Sequence, residues 1–333
     1  MSDFSTFKAA AVQASPVFLD MAGTVAKTIA MIEQAAASDV KLLAFPEAWI
    51  PGYPFWSWLG SQAWGMQFVG RYHSNSVERD GPELRAIAAA AAAHGMTVVV
   101  GTSERDHGTL YLGQTIIGAD GQILAHRRKL RATHVERSVF GEGDGSDIAV
   151  HDTPLGRLGA LCCWEHLQPL VKYTMFAQHE QIHVASWPAF SLYQGRAYAL
   201  GPELNKAVTQ TYAAEGQCFV IASTMVVTPE LQAIVCDTPD KAELLPLGGG
   251  YSMIFGPDGQ PLAQPVPPCE EGLVIAEIDL SAIALAKSAA DPVGHYGRPD
   301  VFQLHFDNTA RKAIVASGSV QAVPLVADTG PAG

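Results

Sequence analysis

Charged residues are scarce in this 333-residue chain, and positive charge is the scarcest kind. Asp, Glu, Lys and Arg make up 16% of the residues, against about 25% in an average soluble protein. The 21 Lys and Arg are outnumbered by 33 Asp and Glu, which gives a formal net charge of −12. Phosphate backbones and anionic membranes repel such a field, so we expect no nucleic-acid partner and no membrane partner.

Cysteine is also scarce, and its spacing fits neither a disulfide framework nor a metal site. The chain has five cysteines, of which only two are neighbours, and no pair has the CxxC spacing. An odd and scattered set of thiols is typical of a reducing compartment. The first residues also lack the basic start and apolar segment of a secretory signal. We therefore expect a cytoplasmic protein without a bound metal.

Long hydrophobic runs are missing as well. The longest plainly apolar run covers residues 86–93, far short of the ~20 residues that span a bilayer. The apolar fraction of 48% still suffices for a large core and excludes disorder as the main state. No linker interrupts the body of the chain, which predicts a single domain over residues 1–315. Small residues with Gly and Pro predict a flexible tail over 316–333.

Strand-like and helix-like runs alternate along the chain, which predicts a layered α/β fold. Two Asp-Gly turns, Asp120-Gly121 and Asp258-Gly259, lie between similar apolar runs. Such turns favour hairpins, and their likeness suggests a pseudo-two-fold pair of βαβ-like halves. Apolar periodicity places the elements themselves. Strands are predicted at 8–14, 41–45, 97–101, 157–161, 182–186, 218–223, 251–255 and 273–279, and helices at 23–36, 82–94, 167–178 and 197–215.

Two adjacent cysteines, Cys162 and Cys163, follow a predicted strand and precede a predicted helix. A strand-to-helix turn exposes a side chain at the sheet edge, and a helix N-terminus lowers the pKa of a thiol. Most free cysteines are nevertheless buried small hydrophobes. Because side chains alternate along a strand, at most one of the two can point into a site.

Two charged residues are further candidates for chemistry. Glu47 directly follows a buried strand, where apolar neighbours would raise its pKa and suit it to act as a general base. Lys129 lies in a basic run, and an inward-pointing lysine can stabilise a thiolate or a developing negative charge. Each residue alone is equally compatible with a solvated loop or strand face.

Taken in order, the motifs resemble those of the nitrilases of the carbon–nitrogen hydrolase superfamily. The resemblance runs from about residue 8 to about residue 300 and implies the αββα sandwich of that family. It assigns a Glu-Lys-Cys triad to Glu47, Lys129 and Cys163, and a second, positioning glutamate to Glu136. The motifs that carry it are FPE at 45–47, RRKL at 127–130, HVER at 134–137, FGEGDG at 140–145, GALCCWEH at 159–166 and DPVGHYGRPD at 291–300.

The resemblance implies the hydrolysis of a small-molecule nitrile to a carboxylic acid and ammonia. Cys163 would form a covalent thioimidate and then a thioester, and no cofactor would be required. Trp164 after the nucleophile is typical of nitrilases rather than amidases. The segments 52–55 and 186–193 look most like those of bacterial arylacetonitrilases. A preference for aliphatic nitriles, a cyanide-degrading relative and an amidase stay open as alternatives.

A third of the aromatic residues lie within 28 residues around Glu47. We expect Tyr53, with Trp164 and Trp187 from the other half of the chain, to line a pocket for an aromatic nitrile. A hydrophobic core or a subunit interface would explain the same enrichment. Members of the family form dimers that extend into spiral oligomers, so we expect a homo-oligomer. The nine aromatics are Phe45, Trp49, Tyr53, Phe55, Trp56, Trp58, Trp64, Phe68 and Tyr72.

One motif is typical of a different enzyme, a zinc hydrolase. His179, Glu180 and His183 fit H-E-x-x-H, in which two histidines one helical turn apart bind zinc. That site needs a continuous helix, whereas residues 182–188 are β-like and end at a proline. A non-enzymatic assembly protein would explain the low charge, but not the residues at the triad positions.

Overall fold

The computed structural model describes residues 6–312 and residue 314. The predicted tail, 316–333, lies outside the described residues. Eleven strands are described: β1 Thr6–Ala14, β2 Val40–Ala44, β3 Thr97–Asp106, β4 Thr109–Ile117, β5 Ile123–Arg128, β6 His151–Thr153, β7 Gly156–Cys162, β8 Ile182–Trp187, β9 Phe219–Met225, β10 Met253–Phe255 and β11 Gly272–Asp279.

The helices lie mainly between the parallel strands. The described α-helices are α1 Met21–Ala37, α2 Trp56–Leu59, α3 Gln62–Ser74, α4 Pro82–His94, α5 Pro169–Ala177, α6 Pro202–Gly216, α7 Pro229–Val235, α8 Pro239–Leu244 and α9 Ala282–Ala289. Four 3-10 helices are described as well, at His134–Ser138, Gly145–Asp147, Cys163–Leu167 and Tyr198–Leu200. Within the described residues, no helix is both long and apolar enough to cross a membrane.

The strands form two similar units. In the first, β1, β2 and β3 are parallel neighbours, and β4 pairs antiparallel with β3. In the second, β7, β8 and β9 repeat this order, and β10 pairs antiparallel with β9. The units join where β1 and β9 pair over two residues. An Asp-Gly turn follows β4 and β10 alike, so the strand connectivity agrees with the predicted internal repeat.

Because side chains alternate along each strand, the two faces of the sheet in each unit pack against different cores. On β1, Ala10, Val12 and Ala14 belong to a core that includes residues of α1 and α4. Their neighbours Phe7, Ala9 and Ala11 share a second core with residues of β7, β8 and β9. A third core joins the second unit to α5 and α6. The layers are therefore helix, sheet, sheet and helix, which confirms the predicted αββα sandwich.

Most elements lie close to the predicted positions, but the helix predicted at 197–215 is wrong at its start. The chain first forms the 3-10 helix Tyr198–Leu200, and α6 begins at Pro202. Proline fits the first position of a helix, where its missing N–H is not needed. Gly201 precedes it in an extended conformation and ends the shorter helix.

Candidate active site

Cys163 lies where β7 ends and the 3-10 helix Cys163–Leu167 begins. Its φ of +46° is in the left-handed region, which non-glycine residues adopt at a cost, and such strained residues are enriched at functional sites. The side chain is buried and lines a cleft. Cys162 is still extended, and its Sγ lies 3.7 Å from Nη1 of Arg127. The two thiols thus have different surroundings, as the sequence predicts.

Glu47, Lys129 and Glu136 meet beside this cysteine. Nζ of Lys129 donates to Oε1 of Glu47 at 3.0 Å and to Oε2 of Glu136 at 2.9 Å. All three side chains are at most 1% exposed. Glu47 follows β2 and Lys129 follows β5, whereas Glu136 lies in the 3-10 helix His134–Ser138. Residues more than 80 positions apart therefore form one buried cluster.

The electrostatics of the cluster favour a neutral thiol next to a basic carboxylate. Burial raises the pKa of Glu47 to about 8, although Lys129 lowers it and Glu136 raises it further. Burial and the charge of Glu47 hold the pKa of the Cys163 thiol well above its usual value, against the lowering effect of Lys129. Oε2 of Glu47 is buried and has no hydrogen-bond partner among the described residues. In the ionised form of Glu47, this oxygen is free to accept a proton.

Lys129 stays charged in this environment. Burial alone would lower its pKa, but the carboxylates of Glu136 and Glu47 together raise it well above the usual lysine value. A buried ammonium between two carboxylates is a fixed positive charge in a low-dielectric site. It can stabilise negative charge that develops on a bound substrate.

Glu136 is held in place by its neighbours on two sides. Oε1 accepts a hydrogen bond of 2.6 Å from the hydroxyl of Tyr53, and Oε2 accepts one of 2.7 Å from the backbone N–H of Thr133. Nε1 of Trp58 in turn donates to the Tyr53 oxygen at 3.0 Å. Tyr53, predicted as a pocket wall, thus also orients the second glutamate.

A buried ion pair links the backbone on both sides of the site. The Arg127 guanidinium donates to Glu165 through Nη2 at 2.8 Å and Nη1 at 3.0 Å. Glu165 also accepts the backbone N–H of Cys162 and that of Leu130, each at 2.8 Å. One carboxylate therefore fixes the residue before Cys163 and the residue after Lys129. Sequence reasoning assigned no role to this pair, although Glu165 belongs to the GALCCWEH motif and Arg127 to the RRKL motif.

All three predicted pocket residues line one cleft together with Cys163 and Glu136. The cleft is narrow, and its lining is mainly aromatic and apolar, as is common for small-molecule sites. Tyr53, Trp164 and Trp187 contribute aromatic surface. Nε1 of Trp164 donates to Oδ1 of Asn205 at 3.0 Å. Asn205, on α6, fixes the Trp164 ring and was missed because no sequence pattern connects the two.

The aromatic cluster divides between core and cleft. Phe45 and Trp49 belong to the core beneath the helices. Trp56, Phe68 and Tyr72 are buried in a fourth core, next to the site. Tyr53, Phe55 and Trp58 line the cleft. The pocket interpretation therefore holds for only part of the cluster.

The H-E-x-x-H motif does not form the helical zinc site. Helix α5 ends at Ala177, before the motif begins, and His183 lies in β8. His179 is exposed, whereas Nδ1 of buried His183 lies 2.7 Å from Oε1 of Glu180. The two histidines therefore do not share a helix face.

Comparisons with known proteins agree with this geometry. The carbon-nitrogen hydrolase family model matches residues 8–288. The chain is 55% identical over 308 residues to a nitrilase from Pseudomonas syringae pv. syringae (strain B728a), covering 92% of each chain. It is 55% identical over 304 residues to an aliphatic nitrilase from Rhodococcus rhodochrous, covering 91% of this chain and 83% of that one. It is 50% identical over 300 residues to an arylacetone-specific nitrilase from Alcaligenes faecalis, covering 90% of this chain and 84% of the relative. With its αββα sandwich and these relatives, the chain belongs to the carbon–nitrogen hydrolase family and groups there with the nitrilases.

Proposed function

We propose that the protein hydrolyses nitriles to carboxylic acids and ammonia, with Cys163 as the nucleophile. The observation that carries this proposal is the buried Glu47–Lys129–Glu136 cluster next to a cysteine in a left-handed conformation. The nitrilase relatives, which match over most of their length, support the same reaction. Glu47 acts as the general base, Lys129 stabilises developing charge, and Glu136 positions Lys129.

The pKa directions suggest how the first bond forms. Because the thiol is neutral at rest, its proton moves to Oε2 of Glu47 as Sγ attacks the nitrile carbon. The nitrile nitrogen gains negative character, which Lys129 stabilises, and takes the proton back from Glu47. The product of this step is a covalent thioimidate on Cys163, with Glu47 again ionised.

The same groups complete the reaction. Glu47 accepts a proton from a water that adds to the thioimidate carbon and passes it to the nitrogen, which becomes an amino group on a tetrahedral carbon. The new hydroxyl on that carbon then gives up its proton, again through Glu47, to the departing nitrogen as the C–N bond breaks. Ammonia leaves, and a thioester remains on Cys163. A second water, activated in the same way, releases the carboxylic acid and restores the thiol. Two waters are consumed for each nitrile, so atoms balance without a cofactor.

We propose arylacetonitriles as the preferred substrates. The aromatic walls contributed by Tyr53, Trp164 and Trp187 support this preference, because aromatic rings pair favourably across a cleft. A preference for aliphatic nitriles is the second candidate, favoured by the identity to a relative named as an aliphatic nitrilase. Ammonia release from phenylacetonitrile, benzonitrile and a short aliphatic dinitrile separates the two, with phenylacetamide as the amidase control.

The two adjacent cysteines provide the test of the mechanism. We expect Cys163→Ala to abolish ammonia release while the protein stays folded. Cys162→Ala, the matched control, should retain activity, because Cys162 lies beside Arg127 rather than in the cleft. An active Cys163→Ala variant with an inactive Cys162→Ala variant would overturn the assignment of the nucleophile.

We further propose that the protein is a cytoplasmic homo-oligomer, a dimer that extends into spiral assemblies. Exposed apolar side chains on and next to α5 support self-association: Leu167, Leu170 and Tyr173. Sedimentation at micromolar concentration measures the size. A monomer under these conditions would contradict the proposal.

A further inference from the structure

A line of buried polar groups leads from α6 to the backbone of Cys163. The Tyr212 hydroxyl donates to Oε2 of Glu180 at 2.7 Å, and Oε1 of Glu180 lies 2.7 Å from Nδ1 of His183. Nε2 of His183 lies 2.8 Å from Nε2 of His166, and Nδ1 of His166 lies 2.6 Å from the backbone oxygen of Cys163. The four side chains are at most 2% exposed. The line therefore connects α6 to the backbone of the nucleophile.

The last contact fixes where the protons are. A backbone carbonyl only accepts, so Nδ1 of His166 carries a hydrogen. Each of the three contacts between Glu180, His183, His166 and the carbonyl needs one proton. The three side chains hold three such protons when their net charge is zero. With one proton fewer, two lone pairs face each other at one contact; with one more, two hydrogens do. The line is thus complete only in its neutral state.

Burial favours that neutral state. It holds the pKa values of His166 and His183 well below the usual histidine value, which disfavours an additional proton. It raises the pKa of Glu180 to about 8, although the Tyr212 hydroxyl lowers it. The line therefore keeps its three protons at neutral pH and loses one as the pH rises past about 8.

The other ionisable groups around the line are few. Cys218 and Tyr212 lie beside Glu180, and burial raises the pKa of both groups well above their usual values. Arg127 and Glu165 act on the two histidines with opposite effects. Because these two charges form one ion pair, their effects on the histidines largely offset each other.

The neighbouring strand leaves room for this arrangement. A Cβ atom at Gly159 of β7 would lie 1.9 Å from Oε1 of Glu180. Any side chain there would displace the carboxyl group from His183. The contact between Glu180 and His183 thus requires a glycine at position 159, three residues before Cys162.

We propose that Glu180 and His183 are positioning residues that act through His166 on the backbone carbonyl of Cys163 and hold the nucleophile in its left-handed conformation. The proposal rests on the proposed role of Cys163 as the nucleophile. It gives a role to the H-E-x-x-H motif that does not involve zinc. His166 also stacks on Trp187, with ring centroids 5.1 Å apart, so the same line supports one wall of the cleft.

Three variants test the proposal, each measured for kcat, KM, unfolding free energy and the pH dependence of kcat. Glu180→Ala removes the proton donor to His183, and we expect kcat to fall about tenfold with KM changed less than about twofold. In Glu180→Gln the amide N–H donates to His183 and the amide oxygen accepts from Tyr212. We expect this variant to retain most of kcat and to shift the alkaline decline of kcat to higher pH, because an amide has no proton to lose there.

Tyr212→Phe is the matched control. It removes one buried hydrogen bond of the same line but leaves the three contacts from Glu180 to Cys163 intact. We expect a lower unfolding free energy with kcat within about twofold of the wild type. If Glu180→Ala behaves in the same way, the residues are only structural and the proposal is wrong.

The outcomes separate this proposal from the proposed function. Retained kcat in Glu180→Ala together with an inactive Cys163→Ala overturns the positioning role alone. An active Cys163→Ala variant overturns the nucleophile and the positioning role with it. Should Glu180→Ala not fold, the pH profile of Glu180→Gln decides, because an unshifted alkaline decline overturns the proposal.

Discussion

The Arg127–Glu165 ion pair makes a quantitative prediction about how the site is held together. The side chains are 4% and 0% exposed, and the guanidinium makes two hydrogen bonds to the carboxylate. Arg127→Met leaves that carboxylate buried without its cation, which costs about 3–5 kcal/mol of unfolding free energy. Glu165→Gln leaves the guanidinium buried without its anion and should cost a similar amount.

The double variant should cost less than Arg127→Met alone and much less than the two single variants added together. In Arg127→Met/Glu165→Gln no charge remains, and the single amide oxygen still accepts one of the two backbone N–H groups, of Cys162 or Leu130. The remaining cost is that of one unsatisfied buried backbone N–H, about 1–3 kcal/mol, together with the hydrogen bonds from Arg127 to Oε1 of Gln114 and to the backbone oxygen of Asp147, which Arg127→Met alone loses as well. Independent contributions would instead add to about 6–10 kcal/mol.

Urea unfolding, followed by tryptophan fluorescence, gives the unfolding free energy of the wild type, the two single variants and the double variant. Ammonia release from a nitrile, measured on folded protein, gives kcat for the same four proteins. We expect Arg127→Met to lower kcat as well, because Glu165 fixes backbone on both sides of the site. A double variant at the sum of the single costs, or an Arg127→Met variant within about 1 kcal/mol of the wild type, would refute the reasoning.

Three further predictions follow from the same contacts. Lys129→Ala and Glu47→Gln should each lower kcat by about 10²-fold or more, since each removes a group to which we assign a role in the transition state. Steady-state ammonia release checks this, and a loss below about tenfold would contradict it. Asn205→Ala removes the hydrogen bond that fixes the Trp164 ring. The ratio of kcat/KM for phenylacetonitrile to kcat/KM for an aliphatic dinitrile should therefore change, with little effect on the unfolding free energy. An unchanged ratio would count against the role of this hydrogen bond. The raised pKa of Glu180 adds stability that is complete below about pH 4.5 and is lost as the pH rises to about 8. Over this pH range, the unfolding free energy of Glu180→Gln should therefore fall less than that of the wild type. Parallel curves of unfolding free energy against pH, measured by urea unfolding, would contradict this.

The sequence predicts the fold best where local interactions decide it. The helix predicted at 82–94 coincides with α4, because Pro82 fits its first turn and Gly95 ends it in the left-handed conformation. The strand predicted at 97–101 is too short, since β3 continues to Asp106 along its antiparallel partner β4. That extension depends on a pairing between distant segments, which periodicity does not reveal.

The same distinction, between what local sequence reveals and what depends on distant segments, holds for the site. The resemblance supplied Glu47, Lys129, Cys163 and Glu136 because each lies in a short motif, and the fold brings them together. The groups that hold them were not predictable from pattern. Asn205 contacts Trp164 from another helix, 41 residues away along the chain. Such partners follow only from the tertiary structure.

The two adjacent cysteines show how hydrogen bonds to the backbone distinguish one thiol from the other. Cys162 ends β7 in the extended conformation, with its N–H bonded to Glu165 and its sulfur near Arg127. At the next residue, the carbonyl oxygen of Cys163 lies 2.6 Å from Nδ1 of His166. A left-handed turn at Cys163 satisfies both constraints and redirects the chain at the cleft. Two buried networks therefore hold the backbone at the proposed nucleophile, one on each side of the peptide unit between Cys162 and Cys163.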